Sequence, residues 1–143
     1  MVGQRFISPM HAFEVSLPGD DWKPVPGGES VLTLTHTRQA LGISINVTCE
    51  RDRHVPLNVL SRHLFFGFKE KEVLLQELRS LNGVPALKTV LRGRLNSQEL
   101  QLDSYVIGRG DCVYDLVYFA NPADYAEGEA AFEQMVAGLR FRD

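Results

Sequence analysis

Apolar and polar positions alternate with a period of two over most of this chain. Ala12-Phe-Glu-Val-Ser-Leu17 alternates as a strand does, and Pro18-Gly-Asp-Asp21 breaks it with turn residues. Trp22 to Glu29 holds Pro24, Pro26, Gly27 and Gly28, which predicts a loop. Leu32, Leu34 and His36 alternate with Thr33, Thr35 and Thr37, a β-branched strand whose face leaves His36 half-buried. Ile43, Ile45, Val47 and Cys49 then share one face, and Ser44, Asn46, Thr48 and Glu50 the other. Such alternation suits an antiparallel sheet with one wetter face.

The helical period follows. Pro56 opens a helix, where its missing N–H costs nothing, and Leu57, Leu60, Leu64 and Phe68 form its buried stripe. Strands are expected again at about 72–81, 84–95, 99–107 and 112–120. Asn82-Gly83, Asn96-Ser97 and Gly108-Arg-Gly-Asp111 supply the turns of a four-stranded meander. The last of these strands is apolar on both faces, so a central, doubly covered position is expected. Asn121 is expected to cap a second helix, with Pro122 at its first position and Asp124 in its first turn. Tyr125, Phe132, Met135, Val136 and Leu139 make the buried stripe, and Gly138 the C′ residue. Strands grouped together with two interrupting helices read as α+β.

Composition adds limits. A chain of 143 residues suits one domain and needs no metal or disulfide to fold. Net charge is −3, and the basic residues come in pairs among acidic ones, so no nucleic-acid partner is expected. No run approaches the length of a membrane span. No signal-peptide core follows Met1, which reads as cytoplasmic; an export signal ahead of Met1 would instead make the protein periplasmic or lipid-anchored. Cys49 and Cys112 form no zinc or redox motif. They read as two buried apolar residues, or as a disulfide if their strands are neighbours in an oxidising compartment.

Phe13-Glu-Val-Ser-Leu-Pro18 followed by Trp22, Leu81-Asn-Gly-Val-Pro-Ala86 leading into a long hairpin, and Tyr114-Asp-Leu-Val-Tyr118 before Tyr125 and a final helix to Phe141 together resemble the Mog1/PsbP-like superfamily. That group includes PsbP, Mog1, the DcrB-like lipoproteins and the adaptor chaperones of type VI secretion effectors. The resemblance implies an α/β/α sandwich on a central antiparallel sheet of about six or seven strands, with two main helices. It also implies action by binding proteins, and sometimes ions, without turnover. The group shares no catalytic motif, so no catalytic, cofactor or metal residue is carried over.

The residues themselves agree. No HExxH, GxSxG, CxxC or phosphate-binding loop occurs, and His11, His36, His54 and His63 have no chelating spacing. The expected role is therefore a non-enzymatic protein-binding or accessory module, monomeric or weakly dimeric, with no cofactor. Its candidate partner surface is Asp20, Asp21 and Trp22, the only tryptophan, together with Val59 and Phe66 on the outer face of the first helix. The alternative is a small-molecule or ion pocket formed by Asp115 with Tyr105, Tyr114 and Tyr118, since a carboxylate in an apolar strand either pairs or carries a raised pKa.

Overall fold

The computed structural model describes residues 5–9, 11–26, 30–49 and 67–142. In chain order its strands are β1 (Arg5–Ile7), β2 (Phe13–Ser16), β3 (Trp22–Pro24), β4 (Leu32–His36), β5 (Leu41–Thr48), β6 (Lys69–Leu81), β7 (Val84–Leu95), β8 (Gln98–Arg109) and β9 (Cys112–Ala120). Helix α1 (Tyr125–Ala137) and strand β10 (Arg140–Phe141) complete the order. Seven strands form one antiparallel sheet in the order β3-β4-β5-β9-β8-β7-β6, and β1, β2 and β10 form a small second sheet.

Strands β6 to β9 are the expected meander. At Asn82-Gly83 both residues have positive φ, 52° and 86°, as does the pair Asn96-Ser97 at 53° and 67°. That backbone matches the twist of the strands it joins. Strand β9 lies between β5 and β8. Its two apolar faces follow from this central place.

On one sheet face Tyr114, Leu116 and Tyr118 of β9 meet Phe132, Met135 and Val136 of α1 and Phe13 and Val15 of β2 in a single core. On the other, Leu91, Leu102 and Val117 are buried, with Phe68 and Phe119 against them. Helix α1 is pinned at its start. The Tyr118 hydroxyl donates to the Tyr125 carbonyl at 2.7 Å and accepts from the Gly128 N–H at 3.1 Å. A Cβ on Gly128 would stand 2.6 Å from that hydroxyl, so the position requires glycine for close approach. The small sheet ties the two ends of the described chain together: β10 pairs with β2, and Arg5 donates to the Gly138 carbonyl at 2.6 Å.

Several expectations are corrected. Trp22–Pro24 is an edge strand and not a loop; Trp22 pairs with His36, and the prolines follow it at the edge, where a missing N–H is tolerated. Helix α1 starts at Tyr125 with Asp124 at its cap, not at Pro122 behind Asn121. Asn121 instead closes the preceding turn, its side-chain oxygen accepting from the Ala123 N–H at 3.0 Å. Gly138 has φ −90°, outside the left-handed region. It is glycine because a Cβ there would meet Ser16 Cβ at 2.9 Å. The cysteines are joined: Cys49–Cys112 is a disulfide linking the ends of β5 and β9. The resemblance implied two helices. The described residues contain one, α1, and the helix expected from Pro56 lies outside them. No described helix is long and apolar enough to cross a membrane.

Candidate functional site

Trp22 opens β3, and the turn before it sets its depth. The Trp22 N–H reaches back to the Gly19 carbonyl at 3.3 Å, and the Asp21 carbonyl accepts from the Thr37 N–H at 2.8 Å. The indole is 7% exposed, edge-on to His36 at 5.2 Å and to Tyr118 at 6.5 Å. It forms part of the floor of a cleft and does not project from the surface. That cleft, about 430 Å³, is walled by Phe6 of β1, Leu17 and Pro18 after β2, and Pro24, Leu32 and Leu34 of β3 and β4. Asp20 and Lys23 supply charge at its rim. A second depression of about 490 Å³ shares Pro24 and Leu32 with the first and continues to Val25 and Val31. The two form one apolar strip across the β3 edge, in which Val25 is exposed.

The candidate partner residues thus divide. Asp20 and Trp22 line the cleft, while Asp21 stands beside it in an exposed ion pair with Arg38 at 3.0 Å. Val59 and Phe66 lie outside the described residues. Phe6, Leu17, Leu32 and Leu34 were not singled out from the sequence as site residues, because they reach one wall only after three strands converge.

The pocket residues do not converge. Tyr105, Tyr114 and Tyr118 face α1 and the small sheet, packed into the core. Asp115 alternates to the opposite face, between Asn46 of β5 and Val106 of β8. Burial pushes its carboxyl up to about 6. The tyrosines are raised by burial as well, Tyr105 and Tyr118 each to about 12, which keeps their hydroxyls protonated as hydrogen-bond donors.

A titratable cluster that sequence reading missed sits beneath α1. Lys88 of β7 donates to Asp103 of β8 at 2.7 Å, to the Tyr105 hydroxyl at 3.2 Å and to Glu133 of α1. Tyr105 in turn donates to the second Glu133 oxygen at 2.7 Å. Lys88 here faces two carboxylates, and Arg79 of β6 reaches the Tyr105 hydroxyl at 3.5 Å. Burial, and then Glu133, pushes Asp103 up to about 8 despite Lys88. Burial pulls Glu133 upward too, but hydrogen bonds from Asp103, Lys88 and Tyr105 outweigh it and hold its carboxyl below the usual range. The same contacts outweigh the desolvation of Lys88 and hold its ammonium charged. The two carboxyls are thus pushed in opposite directions, the deeper Asp103 toward its neutral form and Glu133 toward its charged one. Neither depression of the β3 strip includes any of these residues. The cluster fastens helix to sheet. Among the described residues no group of three or more histidine, cysteine, aspartate or glutamate side chains is placed to hold a metal.

No family model matches the sequence, and no curated protein sequence does. Solved structures do match in fold. A cyanobacterial PsbP from Synechocystis is similar at TM-score 0.72 and 9% identity, over 96% of this chain and 91% of that one. LpqN of Mycobacterium tuberculosis, described as involved in cell envelope biogenesis, is similar at TM-score 0.73 and 14% identity, over 98% and 91%. A Bacteroides thetaiotaomicron structure gives 0.69 and 14%, with all of this chain spanning 50% of the other. At these identities the likeness is one of fold, shared with the PsbP and LpqN structures.

Proposed function

We propose that this protein is a non-enzymatic accessory module that binds a protein partner, and that the strip across β3 receives an extended apolar segment of it. The observation that carries this reading is the continuity of the two depressions through Pro24 and Leu32. A compact ligand calls for one enclosed cavity with converging polar groups, whereas a long apolar strip floored by a buried tryptophan fits a peptide's side chains. Pro24 lacks an N–H to offer along the edge, so side-chain docking supplies the affinity. The Cys49–Cys112 disulfide supports an exported location, since such bonds persist in oxidising compartments.

Because Trp22 is the only tryptophan, its fluorescence reports the cleft directly. A library of apolar peptides titrated onto the protein is expected to yield binders that shift Trp22 emission. Leu32→Glu, which puts a charge where the two depressions meet, is expected to abolish the shift. Binders unaffected by Leu32→Glu, or a library without binders, would refute the assignment.

A further inference from the structure

The opposite edge of the seven-stranded sheet is β6, and its outer side pairs with no described strand. An open edge is a template for pairing, and chains ordinarily blunt it with charges, bulges or proline. The first half of β6 is blunted in this way. Lys69-Glu-Lys-Glu72 alternates charges, Glu70 has φ 54°, and the register with β7 slips between Lys69 and Glu72 and again between Val73 and Leu75. From Leu75 to Leu81 the register is regular and no described strand pairs with the outer edge. Leu78, in the middle of this segment, is 70% exposed, the most exposed large apolar side chain among the described residues.

We infer that the Leu75–Leu81 edge pairs antiparallel with the same edge of a second copy of this chain, about a twofold axis through Leu78. The segment's own charges select this register. With Leu78 opposite Leu78, Glu77 of each copy faces Arg79 of the other, Gln76 faces Ser80, and Leu75 faces Leu81. A slip of one residue in the axis sets Glu77 against Glu77 or Arg79 against Arg79, and like charges directly opposite are destabilising. Paired residues must also share a sheet face, and this register satisfies that at every position. Glu77 and Arg79 already pair within one strand at 2.9 Å, so each arginine would bridge two carboxylates across the twofold. The inference stands apart from the β3 cleft, which lies at the far edge of the sheet.

Sedimentation velocity from low micromolar to millimolar protein is expected to show a dimer growing with concentration. Leu78→Lys sets two ammonium groups face to face and is expected to leave only monomer where the unaltered chain pairs. Its folding is checked by circular dichroism. Thiol cross-linking reads the register independently. Leu78→Cys chains are expected to cross-link with themselves, and Gln76→Cys chains chiefly when mixed with Ser80→Cys chains. A chain monomeric throughout, a dimer that survives Leu78→Lys, or cross-links in another register would overturn the inference.

Discussion

Asp115 is a carboxylate held where burial disfavours its charge. Its folded-state pKa of about 6 stands above the ordinary 3.8, so between those values the folded chain holds a proton that the unfolded chain releases. Stability therefore falls as pH rises through that window and stays reduced above it. Asp115→Asn is expected to stabilise the fold by on the order of 2 kcal/mol at neutral pH, and by almost nothing below about pH 4. Urea denaturation at the two pH values checks this, and equal stabilities at neutral pH would remove the buried-charge explanation. Lys88 presents the converse case. Lys88→Met strips the cation from Asp103 and Glu133 and is expected to cost about 3–5 kcal/mol, as removal of one partner of a buried pair does. The loss should shrink in acid, where both carboxyls are protonated, and the same denaturation series would show it.

Among elements, strong local signals were enough. The turn pairs Asn82-Gly83 and Asn96-Ser97 have backbone demands that few residues meet, so the meander could be read from four letters. The Lys88–Asp103 pair was legible in principle by the same route. The turn at Asn96-Ser97 sets Leu95 against Gln98, which puts Lys88 opposite Tyr105 and Asp103 opposite Val90 on one face. A lysine inside Ala86-Leu-Lys-Thr-Val-Leu91 was the signal. What local pattern did not carry were pieces too short to have a period. Strands β1, β3 and β10 have three residues or fewer and exist because a neighbour pairs with them. The cleft depends on two of those strands, so only Trp22 and Asp20 were visible as its members.

For the molecule as a whole, the disulfide clamps two distant parts of the chain, 63 residues apart in sequence. Loop closure over that length restricts the unfolded ensemble, so replacing both cysteines by alanine is expected to cost about 4 kcal/mol. Thermal melts of the unaltered and doubly substituted chains would measure the difference. An unchanged midpoint would mean that the sheet alone fixes the geometry of β5 and β9. Those two strands, adjacent in the sheet, are separated in the chain by the whole β6–β8 hairpin series. The sheet thus consists of two blocks, β3-β4-β5 and β8-β7-β6, with β9 as the piece that joins them. On a ribosome the first block emerges before β9 and must wait with the β5 edge bare until β9 has been made. Cys49 waits as a thiol for the same interval, since its partner opens β9. Closure of the sheet and sealing of the crosslink therefore belong to one late event in the life of the nascent chain.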